Sequence, residues 1–151
     1  MKKILFVLLF FLVFPNLSFA YDCFNFTNIT KATTRAEVRK IEQGKVDKDA
    51  PAGMHFVKNC GGLSYRAQYS FKNFKAGEKA TVELVAYIIQ TKNKADTDLI
   101  IQKLIESYGD PKQTFKEDGL TVNKWRFDNA FLDAYIEKDY KEMSIHLYWD
   151  I

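Results

Sequence analysis

Histidine and cysteine are scarce, with two of each among 151 residues, and that scarcity removes whole classes of chemistry. A structural zinc site needs about four nitrogen or sulfur ligands, and only His55 and His146 could supplement Cys23 and Cys60. No C-x-x-C occurs, so the dithiol redox motif is absent. Also missing are a G-x-S-x-G elbow, a P-loop, an H-E-x-x-H helix and a Gly-rich dinucleotide fingerprint. Paired carboxylates remain, as glycoside hydrolysis would require. Asp133 and Glu137 share one face of an expected strand and read as a solvated face. Asp96 and Asp98 open an expected helix, where they match the positive end of its dipole. No catalytic residue, metal or cofactor is expected.

A strong excess of either charge is lacking too. The net charge of +3 falls to +1 once Lys2 and Lys3 are removed, below what a general nucleic-acid binder normally carries. The charge is uneven along the chain. Residues 31–79 hold eleven basic and five acidic side chains, and residues 80–151 hold nine and thirteen. Such a dipole can orient a charged partner, although an unevenly charged solvated surface is the plainer explanation. No internal repeat or low-complexity segment stands out.

One long apolar run exists, Ile4–Phe14, preceded by Lys2 and Lys3 and broken by Pro15 and Asn16. It is too short for a membrane span, which needs roughly 20 apolar residues. Ser18-Phe19-Ala20 supplies small residues for cleavage, so residues 1–20 read as a bacterial-type signal peptide. Cleavage after Ala20 would leave a single domain over residues 21–151, periplasmic or secreted and without a stable membrane anchor. Tyr21 and Asp22 separate Cys23 from that cleavage site, which argues against lipidation. In an oxidising compartment two cysteines most simply pair with each other, so Cys23 is expected to bridge to Cys60. In the chain-entropy model such a loop contributes about 3–4 kcal/mol. The Asn25-Phe26-Thr27 and Asn28-Ile29-Thr30 sequons are read as chance matches.

Hydrophobic periodicity sets out an order of helix, strands, helix, strands. Thr34 and Glu37 form a capping box for a short helix with Val38 and Ile41 inward, ending near Gly44. The stretch "GKVDKDAPAG" reads as a polar connecting loop. Two strands follow about Gly61-Gly62, with Leu63, Tyr65, Ala67, Tyr69 and Phe71 alternating against polar residues. "TVELVAYIIQ" reads as a central strand covered on both faces. "ADTDLIIQKLIESYGDP" predicts a helix capped by Asp96 or Thr97, with Ile101, Leu104, Ile105 and Tyr108 inward. Gly109 would supply its left-handed end, with Pro111 beyond. Strands are expected over residues 120–127, 131–138 and 143–149. The fold class that follows is α+β, with two helices packed on one face of an antiparallel sheet.

The stretch "TTRAEVRKI" resembles the polar-capped helix opening small secreted bacterial domains of the β-lactamase-inhibitor-like type. "LIESYGDP", a strand bearing Trp125 and the closing "SIHLYWD" are similar to a pattern common in small periplasmic proteins. The resemblance covers about a quarter of residues 21–151 and rests on capping and turn chemistry. It departs from the pattern where Gly44 lacks a proline two positions on, and where no second helix-plus-sheet unit follows. It implies helices against a curved antiparallel sheet, and binding to other proteins as an inhibitor or envelope-assembly accessory.

The residues themselves offer one candidate surface. If Leu132, Ala134 and Ile136 face the core, Phe131 and Tyr135 stand on the other face beside His146 and Tyr148, with Asp133 and Glu137 on the flank. Tyr and Phe are enriched in interface cores, although a covering helix or N-terminal segment would make the same residues core. The expected activity is non-enzymatic binding of another protein, as an inhibitor or immunity-type protein for a toxin or hydrolase. An envelope accessory is the alternative. A third reading is a small-molecule carrier with a pocket under the long helix lined by Tyr87, Tyr108 and Trp125.

Overall fold

The structure, a computed structural model, describes residues 28–149. The expected signal peptide and Cys23 lie outside the described residues. The elements are α1 (Arg35–Glu42), β1 (Val46–Ala50), β2 (Gly53–Cys60), β3 (Leu63–Lys72), β4 (Thr81–Gln90), α2 (Lys94–Tyr108), β5 (Gln113–Glu117), β6 (Leu120–Arg126), β7 (Ala130–Glu137) and β8 (Glu142–Trp149). The eight strands form one sheet in the order β1-β2-β3-β4-β8-β7-β6-β5, and every neighbouring pair is antiparallel. The α+β class holds. The strand β8 lies between β4 and β7 and joins the two halves of the sheet.

Alternation on β3 buries Leu63, Tyr65, Ala67, Tyr69 and Phe71. They meet Met54 and Phe56 of β2, Val85, Tyr87 and Ile89 of β4, Trp125 of β6, Leu132 of β7 and Ile145 of β8 in one core cluster. Val38 of α1 and Ile100 and Leu104 of α2 belong to the same cluster. Both helices therefore cover the core side of the sheet. The capping box on α1 forms as its residues require: Thr34 N–H donates to Glu37 Oε2 at 2.7 Å, and Glu37 N–H donates to Thr34 Oγ1 at 3.3 Å.

Several expectations are corrected. The cap of α2 is Asn93, whose Oδ1 accepts from Asp96 N–H at 3.1 Å, so Asp96 and Thr97 lie inside the helix. The helix buries Thr97, Ile100 and Leu104, while Ile101, Ile105 and Tyr108 are only partly buried against the core. Gly109 has a positive φ of 76° but an extended ψ of −173°, which is not a left-handed cap. "GKVDKDAPAG" is not a loop throughout: residues 46–50 pair with β2 as an edge strand, and charged residues suit an edge that must resist further pairing. The strand β5 was not expected. Asp118 and Gly119, at φ 49° and 84°, form the tight primed turn that folds it onto β6.

On β4, Val82, Val85, Tyr87 and Ile89 join the core cluster, whereas Leu84, Ala86 and Ile88 point to the opposite face, paired with Tyr148, His146 and Ser144. On that face Ala86 is buried and Leu84 and Ile88 are half-buried. Cys60 is buried at the end of β2.

Candidate functional site

Antiparallel partners share a face, and the β7–β8 register sets Phe131 opposite Tyr148, Asp133 opposite His146 and Tyr135 opposite Ser144. The four residues singled out in the sequence, Phe131, Tyr135, His146 and Tyr148, are thus brought together on the side away from both helices. Arg126, Lys124, Val122 and Leu120 of β6 extend this face on one flank. Leu84, Ala86 and Ile88 of β4 extend it on the other, followed by Arg66 and Gln68 of β3.

Asp133 sits at the centre of this cluster, not on its flank. It is 1% exposed, which also corrects its reading as a solvated residue. Arg126 Nη1 donates to Asp133 Oδ1 at 2.8 Å, while Tyr148 and Tyr135 hydroxyls donate to Oδ2 at 3.0 and 3.3 Å. The aromatic rings close over the carboxylate. Phe131 stacks on Tyr148 with centroids 5.2 Å apart and planes 15° from parallel. Tyr135 lies 5.0 Å from His146, and the Arg126 guanidinium lies over the Phe131 ring at 4.8 Å. The result is a platform of packed rings in which Asp133 satisfies both tyrosine hydroxyls. Burial, and then the neighbouring Asp133, hold the Tyr135 and Tyr148 hydroxyls above their ordinary pKa. Both therefore remain neutral donors. Asp133 is occupied by internal bonds, so it orients the tyrosines and does not present a free base. Glu137, at the open end of the strand, is exposed.

Two cavities of about 300 Å³ each open on this face and share Glu142. One is lined by Leu120, Tyr135, Glu137, Ser144 and His146, the other by Val57, Ser64, Arg66, Ile88 and Gln90. Gln90 Nε2 donates to Glu142 at 2.6 Å and fixes the partition between them. A separate depression of about 400 Å³ lies against α1 and Asn28, where the described residues begin. It holds none of the aromatic cluster.

Burial holds His146 below its ordinary pKa of 6.5, with Asp133 opposing that shift. His55 is lowered as well, by burial and then by Lys48 and Arg66. The unfolded chain therefore binds these protons more readily than the folded one, and stability rises with pH through this range. Stability is expected to fall as pH is lowered from 7 through about 6.5, above the carboxylate range near 4. Thermal melts at pH 7 and 5.5 check this. In His146→Asn the decline should be shallower, and an unchanged decline would remove His146 as its source.

A second polar cluster lies on the core side, and the sequence reading missed it. Glu42, the last residue of α1, has a side chain with 0% exposure. Its carboxylate accepts from the hydroxyls of Tyr69 and Tyr87 and, at 2.9 Å, from Lys58 Nζ. The signal was present in the spacing: Arg35, Val38 and Glu42 recur at i, i+3 and i+7 and form the buried face. Every group here is satisfied internally, and the cluster ties α1 to β2, β3 and β4.

Of the expected carrier trio, Tyr87 and Trp125 are packed core and Tyr108 is half-buried against it. Tyr87 and Trp125 are 0% and 1% exposed, Trp125 Nε1 donates to Gly109 O at 2.8 Å, and Tyr108 rests on Phe127 with centroids 5.4 Å apart. Asp96 and Asp98 serve local roles, accepting from Lys92 N–H at 2.9 Å and from Lys94 Nζ at 2.6 Å. Among the described residues no group of three or more His, Cys, Asp or Glu side chains could hold a metal ion.

No family model matches the chain, and no curated protein matches it. Among solved structures it is similar to a DUF4309 family protein (YjgB) from Bacillus subtilis subsp. subtilis str. 168. The TM-score is 0.48 and the identity 14%, over 81% of each chain.

Proposed function

We propose that this chain is an exported, non-enzymatic protein-binding module whose contact surface is the open sheet face around Asp133. One observation carries the reading: both helices lie on one side of the sheet, and the other side presents Phe131, Tyr135, His146 and Tyr148 as an ordered, half-buried platform. Large apolar surfaces left open generally meet partners, and tyrosine and arginine are among the residue types enriched at energetic hot spots. Export rests on the leader-like residues 1–20, and we assign Cys23 and Cys60 to a disulfide suited to that compartment. The expected partner is another protein of the envelope or its surroundings. An inhibitor or immunity-type protein that occludes a toxin or hydrolase is the most concrete form, and it draws on the resemblance of the opening helix and closing strand. An envelope-assembly accessory would use the same face. A small-molecule carrier would use one of the surface cavities, because Tyr87 and Trp125 are buried in the core and Tyr108 packs on Phe127.

The test is affinity capture from periplasmic and secreted fractions, followed by titration of the retained partner. Hot-spot residues cost about 2–4 kcal/mol each on truncation, so Tyr135→Ala with Tyr148→Ala should weaken binding at least a hundredfold while the fold persists by circular dichroism. A stoichiometric partner bound equally well by this variant would place the interface elsewhere. Loss of the fold with no partner found would make the tyrosines structural.

A further inference from the structure

We infer that the tip of the β3–β4 hairpin is a reversible docking point for an anionic lipid surface. Phe74 stands at this tip with 47% of its surface exposed, more than any other large apolar side chain among the described residues. It is placed there by the backbone. Asn73 adopts a left-handed conformation at φ 51°, a short 3-10 segment spans Phe74–Lys79, and Gly77 kinks it at φ 59°, ψ −126°. None of the six residues in that segment is buried, so the phenylalanine contributes nothing to the core that would explain it. Among the described residues no aromatic ring pairs with it.

The charge around Phe74 is one-sided. Lys72, Lys75 and Lys79 flank it, and the nearby acids Asp49 and Glu78 are already engaged. Arg39 Nη2 donates to Asp49 Oδ2 at 2.6 Å and to Glu78 Oε1 at 3.4 Å, while Arg35 bonds Asp49 and lies 3.9 Å from Glu78. Two arginines thus neutralise two carboxylates. Among the described residues no ion pair joins any of the three lysines to a carboxylate.

An exposed aromatic at a hairpin tip that also carries Lys72, Lys75 and Lys79, none ion-paired among the described residues, fits the headgroup boundary of an anionic bilayer. The ring enters the acyl boundary, and each ammonium, carried on a long apolar stem, stays with the phosphates. A protein partner is the poorer fit, because lysine is depleted in interface cores. One ring and three lysines give weak, reversible adsorption and not an anchor. These residues are separate from the Asp133 face, so this inference stands or falls independently of the protein-binding reading.

The test uses the chain expressed with its own N-terminus in an exporting bacterial host, mixed with vesicles of phosphatidylcholine alone or with about 30% phosphatidylglycerol. Co-sedimentation is expected only with the anionic vesicles and should weaken about tenfold or more in high salt. Phe74→Ser, and separately Lys75→Glu with Lys79→Glu, should each reduce the bound fraction about tenfold with unchanged melting, since the tip is exposed. Phe74→Trp should show a blue-shifted emission component on anionic vesicles. Absence of sedimentation, or sedimentation undiminished by either variant, overturns the inference. Loss with the lysine variant alone does so too, because it reduces the effect to plain electrostatic adsorption.

Discussion

Replacing Glu42 by alanine is expected to lower the unfolding free energy by about 3–5 kcal/mol, the range for removing one member of a buried ion pair. Urea denaturation followed by circular dichroism reads this as a lower midpoint with little change of slope. The argument is one of unmet partners. The Glu42 carboxylate receives the Tyr69 and Tyr87 hydroxyls and the Lys58 ammonium, and Lys58 Nζ also donates to the Glu42 backbone oxygen at 2.8 Å. Tyr69 and Tyr87 are 1% and 0% exposed. The Tyr69 hydroxyl is held far above its ordinary pKa by burial, then by Tyr87 and Glu42, so neither ionisation nor water offers it an easy alternative. Lys58 keeps a partial route to solvent, with 23% side-chain exposure, which places the cost mainly on the tyrosines. Glu42→Gln separates hydrogen bonding from charge. Its amide oxygen still accepts from a tyrosine while its amino group faces the Lys58 ammonium, so an intermediate loss of about 1–3 kcal/mol is expected. A domain of this size has only about 5–15 kcal/mol in hand, and the alanine variant should unfold near ordinary growth temperatures. A cost under about 1 kcal/mol for Glu42→Ala would mean that the surrounding side chains relax and satisfy one another.

Parts of this design are legible in the chain and parts are not, for physical reasons. The aromatic face could be anticipated because strand alternation fixes it: once Leu132, Ala134 and Ile136 point inward, Phe131 and Tyr135 have one other direction available. Capping of α1 was legible for a similar reason, since Thr34 and Glu37 act within one turn. Asp133 was misread and Glu42 was missed because an ionisable residue is buried only where partners from distant strands meet it. Arg126, Tyr135 and Tyr148 converge on Asp133 through the β6–β7–β8 register, and Lys58, Tyr69 and Tyr87 converge on Glu42 from three strands. No local pattern encodes such convergence. The missed strand β5 is different in kind. Its hairpin signal, Asp118-Gly119, was present in the sequence, but the flanking "QTFKE" is short and polar, and its pairing supplies order that its propensity lacks.

Substituting Asp133 by alanine is expected to cost about 2–4 kcal/mol in urea denaturation and to disorder the aromatic platform. The lower bound reflects the Arg126 side chain, 33% exposed, whose guanidinium can recover water that a fully buried cation could not. The remainder comes from the Tyr135 and Tyr148 hydroxyls, which lose an acceptor in half-buried positions. Asp133→Asn keeps one acceptor oxygen but turns its amino group toward one of three donors, so about 1–2 kcal/mol should be lost. The informative comparison is with Tyr135→Phe and Tyr148→Phe. Each removes a donor while keeping its ring, so each should cost about 1 kcal/mol or less. If Asp133 acts by orienting the rings, its alanine variant should weaken partner binding more than both phenylalanine variants combined, under conditions where all remain folded. If Asp133→Ala destabilises the fold but leaves affinity unchanged, the carboxylate serves only sheet stability, and the rings find their places through stacking of Phe131 on Tyr148 alone.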